Sequence, residues 1–246
     1  MTVVKTAALG LAAALSMAAA VMTPRVGAAQ STDALATRNT LTETAAMEAE
    51  AARGAVNIRR VQPPVLFDKS FRDASARRHA EDIAALTQAF LDLGPGVDPD
   101  EAARAARVVY TYVDQLVVEY EIEDPPLVHN TKVNFGEKPR GLCWHWAHDL
   151  DIRLQMERFR TLQIHRAIAN YNNLRLEHSA TILGRRGDPM EESIVLDPWR
   201  NGGELFWEIV RKDTRYNWTP RAEVFAYKRE LKSNRARAET RSHADR

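Results

Sequence analysis

The chain has 246 residues, with 34 Lys and Arg against 33 Asp and Glu, and a single cysteine. So even a balance excludes a protein built mainly to hold nucleic acid, which needs a basic excess gathered on one face. One cysteine excludes an internal disulfide, and the length suits one good core with a helical appendage.

Residues 1–29 read as an export signal. Lys5 precedes an uncharged stretch from Thr6 to Pro24 rich in Ala, Leu, Met and Val, and the small residues Gly27, Ala28 and Ala29 suit a cleavage site. The alternative is a retained membrane anchor. Alanine is only weakly apolar, and the stretch stops at Pro24 and Arg25, so a cleaved signal is expected. Cleavage removes Lys5 and Arg25 and no acid, leaving 32 basic against 33 acidic residues in a periplasmic or secreted chain with no stable membrane span. A lone thiol in an oxidising compartment is either buried and inert or chemically employed.

Residues 30–96 are expected to form a helical or linker region. Ser31 to Arg60 has few large apolar side chains, and Pro63-Pro64 closes it. Asp73 to Leu93 carries Ile83, Leu86, Phe90 and Leu93 at helical steps, which predicts one amphipathic helix ended by Gly94-Pro95-Gly96. Asp98-Pro99-Asp100-Glu101 predicts the start of a second: an aspartate cap, proline in the first turn, and acids at the positive end of the dipole. Val108, Tyr112 and Leu116 are its expected buried stripe. Pro125-Pro126 ends the stretch after that helix, and His129 to Gly141 reads as a loop leading to a helix that opens at Cys143. Cys143, Trp146, Leu150 and Leu154 recur on one face of that helix.

After Arg160 the texture changes. Leu162 to Ala169, Leu174 to Leu183 and Ser193 to Leu196 are short alternating or β-branched runs separated by turn residues, which predicts strands. Helices followed by a meander of strands imply an α+β domain, here over 97–227. Residues 228–246, basic and poor in apolar side chains, are expected to be a frayed, solvated tail, although such a tail could also touch an anionic polymer of the envelope.

Thiol catalysis needs a thiolate, a base to make it and a group to orient the base. A hairpin centred between the runs holding His178 and Asp197 would pair these two residues directly, on one face and within reach. A one-residue slip would send them to opposite faces. Cys143 would then be the nucleophile, its thiolate favoured by the helix N-terminus. His178 would take the proton, Asp197 would hold the ring, and the Cys143 backbone N–H would be one oxyanion donor. Asn130, Asn134 or an indole N–H are candidates for the second.

The runs R-G-L-C-W-H-W-A, H-S-A-T-I and L-D-P-W, in the order Cys, His, Asp, resemble the core of the transglutaminase-like superfamily of papain-type folds. The resemblance covers about residues 138–199, with β-structure expected to continue to Tyr227. It implies a nucleophile helix packed on an antiparallel sheet, with Cys143 as nucleophile, His178 as base and Asp197 as its orienter. Papain itself uses asparagine as third member, and its upstream glutamine is Glu137 here. Members include amide hydrolases, peptidases and cross-linking enzymes. The resemblance therefore implies an exported thiol hydrolase acting on a peptide or protein of the envelope, with no cofactor and no metal. The alternatives are a cross-linking acyl transferase and a binding module that kept the fold without the chemistry.

Other readings compete residue by residue. Cys143 could be an ordinary core thiol, His178 a strand histidine and Asp197 a turn aspartate before Pro198. Cys143, His145 and His148 could hold zinc, though their helical spacing converges poorly. An arylamine acetyltransferase-like enzyme shares the Cys-His-Asp order, but its acyl-coenzyme donor is cytoplasmic.

Overall fold

The computed structural model describes residues 64–173 and 176–244. The expected export signal and the Ser31 to Arg60 segment lie outside the described residues. Among those described, no helix is long and apolar enough to cross a membrane.

The chain is α+β, as its patterning predicts. Helices α1 (Lys69–Arg78), α2 (Ala80–Leu91), α3 (Pro99–Glu119), α4 (Pro126–Asn134) and α5 (Cys143–Gln155) precede strands β1 (Leu162–Ala169), β2 (His178–Arg185), β3 (Ile194–Asn201), β4 (Glu204–Ile209) and β5 (Trp218–Pro220), and α6 (Arg221–Ala244) comes last. The strands form one antiparallel five-stranded sheet in the order β4-β3-β2-β1-β5.

Capping chemistry fixes several boundaries. Asp98 opens α3 by accepting from the Glu101 N–H at 2.9 Å, with Pro99 in the first turn. The helix expected from Asp73 to Leu93 is instead two, broken at His79, whose φ of −100° and ψ of 27° leave the helical region. The His79 ring is occupied elsewhere: it bridges Asp114 at 3.1 Å and Asp82 at 3.4 Å and lies on Tyr110. These contacts join the break to α3.

Four further expectations are corrected. The segment from His129 to Gly141, expected as a loop, is helical as far as Asn134, because Pro126 stands in the first turn of α4 rather than ending structure. The strand expected from Leu174 begins at His178, after a turn, and residues 174–175 lie outside the described residues. β-Structure ends at Pro220, and Tyr227, expected to be its last member, lies on α6. The tail expected to fray is helical to Ala244, although its described side chains from Arg229 onward are exposed.

The two sheet faces carry different cores. One face presents Leu162, Leu183, Ile194 and Leu196 to α2, α3 and α5, burying Leu86, Phe90, Val109, Leu116, Trp146 and Leu150 in a single cluster. Leu86 and Phe90 thus share a core with α3. The other face gathers Ala167, Ala180, Ile182, Val195 and Trp218 under the segments between the later strands. Burial of this kind stabilises by roughly 25 cal/mol per Å² of apolar surface.

One buried carboxylate ties the layers together. Glu101 on α3 accepts from the backbone N–H groups of Arg160 and Thr161 at 2.6 and 2.8 Å and from the Thr161 hydroxyl at 2.6 Å. Three donors at the entry to β1 are satisfied from the first turn of α3, which fixes where the sheet begins relative to the helices.

Candidate active site

Cys143 is the first residue of α5 and is buried. Side chains one turn further on hold the chain just ahead of it. His145 Nδ1 accepts from the backbone N–H groups of Gly141 and Leu142 at 3.1 and 3.2 Å, and the Trp146 indole donates to the Gly141 carbonyl at 3.0 Å. His145 does the work that glutamate performs in a capping box. Because Nδ1 is an acceptor here, His145 is spent on bracing the turn, which accounts for a histidine so close to the thiol. Among the described residues, no group of three His, Cys, Asp or Glu side chains is arranged to hold a metal ion.

Gly141 has a φ of +123°, a conformation side chains rarely adopt, and a Cβ there would run into the His129 ring. His129 Nε2 donates to the Arg140 carbonyl at 2.8 Å. The Arg140 guanidinium in turn meets both Asp149 oxygens at 2.9 and 2.8 Å, and the Tyr120 hydroxyl donates to Asp149 at 2.6 Å. The start of α5 is therefore fixed from both sides.

His178 opens β2, and Asp197 lies in β3, with side-chain exposures of 2% and 1%. The ladder between these strands pairs Thr181 with Leu196, Ile182 with Val195 and Leu183 with Ile194. That register is two residues away from a direct His178–Asp197 pairing, which corrects the sequence expectation. A two-residue shift preserves the face, where a shift of one would have reversed it. The two side chains consequently meet on a diagonal, His178 Nε2 lying 2.7 Å from Asp197 Oδ2.

Asp197 is a carboxylate. Burial opposes its charge, but His178 and the Arg200 guanidinium outweigh burial and hold the carboxyl below its ordinary value. An ionised carboxylate only accepts, so Nε2 carries the proton it donates. In the neutral ring Nδ1 is then the lone-pair nitrogen, and it is buried with no hydrogen-bond partner.

Three aromatic rings line the imidazole: Trp199 and Tyr216 with centroids at 4.7 Å and Trp218 at 5.5 Å. Trp199 donates its indole N–H to Asn130 Oδ1 at 3.0 Å, so α4 anchors one of these rings. Since the indole is only a donor, the Asn130 oxygen must face it, which directs the amide NH2 elsewhere. Trp146 belongs to the core cluster, Trp199 and Trp207 pack against it, and Trp199 also adjoins the histidine. Trp144 packs toward Ile168 and α6, its indole N–H buried without a partner.

Thiol and imidazole are related through α5, β2 and Tyr216. The Thr181 hydroxyl donates to the Ala147 carbonyl at 2.6 Å, which pins α5 along β2. Cys143 is about one helical turn before Ala147, and His178 is three residues before Thr181. Tyr216 is sensitive to both sides of the site. Burial pushes its phenol up, Arg215 and Arg200 oppose the push, and negative charge on Asp197 and, least, on Cys143 adds to it.

Sequence reasoning missed Arg200 and Asp213. Arg200 Nε donates to Asp197 Oδ2 at 3.0 Å, and its backbone N–H donates to Oδ1 at 3.2 Å. Its other two nitrogens grip Asp213 at 3.1 and 2.6 Å, while the guanidinium lies over Phe206 and Tyr216 at 3.7 and 4.8 Å from the ring centroids. The only cue in the sequence was a charged residue directly after the L-D-P-W run.

No protein-family model matches the chain, and neither does a curated protein or a solved structure.

Proposed function

We propose that the chain is an exported thiol hydrolase of the transglutaminase-like type, cleaving an amide or peptide bond through an acyl-enzyme on Cys143. The observation that carries the proposal is the polarity of the buried pair. Asp197 accepts the hydrogen bond donated by His178 Nε2–H, so in the neutral ring Nδ1 is left to accept a proton.

In this reading Nδ1 removes the thiol proton, and the helix start favours the resulting thiolate. The sulfur attacks the substrate carbonyl, and the imidazolium returns its proton to the leaving amine as the C–N bond breaks. Water, deprotonated by Nδ1, then attacks the thioester, and the thiol is regenerated with release of a carboxylic acid. The oxyanion is met by the Cys143 N–H and by the amide NH2 of Asn130, the donor tethered to the ring beside His178.

His178 and Asp197 belong to the face carrying Ala180, Ile182 and Val195, while α5 packs on the other. In this reading the thiol reaches the imidazole around the end of β2, beside Tyr216. The half-buried rings Trp199 and Tyr216 are the part of this wall closest to solvent, and the substrate enters beside them.

Iodoacetamide labelling tests the reading cleanly, because no other thiol competes in this chain. Cys143 is expected to react rapidly near neutral pH, and His178→Ala to slow it at least tenfold. Equal rates in the two proteins would remove the thiolate–imidazolium pair and the enzyme with it. With envelope peptides as substrate, free carboxylic acid marks hydrolysis, whereas incorporation of a labelled amine would reassign the reaction to acyl transfer.

A further inference from the structure

We propose that Arg200 and Asp213 are positioning residues of this site: a guanidinium–carboxylate pair that holds Asp197 against His178 and makes the buried cluster electrically neutral only when the imidazole is protonated. The proposal rests on the triad reading above and adds a charge-setting device to it.

The geometry is that of a chain of buried charges. One oxygen of Asp197 receives both His178 Nε2 at 2.7 Å and Arg200 Nε at 3.0 Å. Two parallel bonds then join the guanidinium to Asp213, the strong bidentate arrangement. Asp213 is held in turn by the Trp218 indole at 2.9 Å and the Arg215 backbone N–H at 3.1 Å. Side-chain exposures are 4% for Arg200, 1% for Asp197 and 2% for Asp213, so the charges act on one another with little solvent screening.

Charge counting explains why both residues are present. A guanidinium alone beside Asp197 would cancel its charge and leave an imidazolium buried with no net compensation. Adding Asp213 gives two carboxylates to one guanidinium. The trio has one uncancelled negative charge while His178 is neutral, and none once it is protonated. The form favoured is the one that must accompany a Cys143 thiolate.

The groups facing His178 come from several elements. Asp197 and Arg200 belong to β3, and Asp213, Arg215 and Tyr216 to the segment before β5. Cys143 opens α5 and acts on Tyr216, and Ala169, opposite His178 on β1, is uncharged. Of these, only Asp213 can offset Arg200 without touching the imidazole.

A pair serving only to staple β3 to the β5 approach would alter stability and leave the protonation of the site alone. The test therefore reads a pH profile. Cys143 alkylation is followed from pH 5 to 10 in the full chain, and the His178 imidazole is titrated by NMR in a Cys143→Ser background. In Asp213→Asn, the transition in which the imidazolium loses its proton is expected to move down by about one pH unit. In Arg200→Gln it is expected to move up, since His178 then receives the whole charge of Asp197. Asp213→Glu should restore the original position.

Folded variants with transitions unmoved, or moved in the same direction, would overturn the proposal. So would failure of both charge-removing variants to fold, which would make the pair a staple. The outcomes separate from those of the triad: if His178→Ala itself leaves the labelling profile unchanged, the functional reading fails first. If His178→Ala changes the profile and Asp213→Asn does not, only the role of this pair is lost.

Discussion

Asp197→Asn is the most informative single substitution, because the two side chains have the same shape and differ only in what they can accept. The Asp197 carboxylate meets three donors: His178 Nε2 and Arg200 Nε on Oδ2, and the Arg200 backbone N–H on Oδ1. An amide has one acceptor oxygen. Placed toward Oδ2, that oxygen serves two donors, but its NH2 then faces the Arg200 N–H. Placed the other way, the NH2 faces both Arg200 Nε and His178. The histidine must then turn Nε2 into an acceptor and carry its proton on Nδ1, which removes the base. Either way a buried donor is left facing a donor, a cost of about 1–3 kcal/mol in folding stability. The lost charge is shared between imidazole and guanidinium, so the effect on His178 belongs at the low end of the usual range. About one pK unit, or a tenfold smaller thiolate–imidazolium population near neutral pH, is expected. Urea unfolding measures the first quantity and iodoacetamide labelling the second. A folded Asp197→Asn protein labelled as fast as the parent would refute the argument, since it would mean the carboxylate does not govern the protonation of the site.

Three further outcomes are expected. Stability should fall in acid: Glu101 and Asp197 are both held below their ordinary values of 4.5 and 3.8, burial opposing their charge and hydrogen bonds and nearby cations outweighing it. Their contribution is complete above those values and is lost as pH drops through the lower folded ones, so urea midpoints should be flat from pH 7 to 5 and decline below about pH 4.5, and Glu101→Gln should flatten that decline. Gly141→Ala forces a side chain into a positive-φ position against His129, which should cost about 1–3 kcal/mol and slow Cys143 labelling; an unchanged urea midpoint would show that the turn relaxes freely. Thr181→Val removes the hydroxyl that joins β2 to the Ala147 carbonyl, with an expected loss of about 1 kcal/mol, and a neutral result in thermal unfolding would mean α5 is held by apolar packing alone.

Local rules made much of this molecule legible in its sequence. Asp98 and Pro99 announced α3 because a cap and a first-turn proline act within four residues, and β1 was readable end to end because alternation and flanking turns are local signals. The thiol at a helix start and the Cys, His, Asp order were visible for the same reason. Features that depend on distant partners were not. The break at His79 reflects an aspartate on α3, and α4 exists where its composition suggested a loop. The strand register is decided by which apolar side chains fill the two cores, so the pairing of His178 with Asp197 came out two residues from direct opposition, yet on the same face. Arg200 and Asp213 carry no pattern at all; they are thirteen residues apart and become a unit only when the chain folds back over β3 and buries both. The sequence by itself determined which chemical groups are available and the local structures that carry them. Only the tertiary structure decided which charges share one buried space, because burial is what converts ordinary ionised side chains into a coupled set.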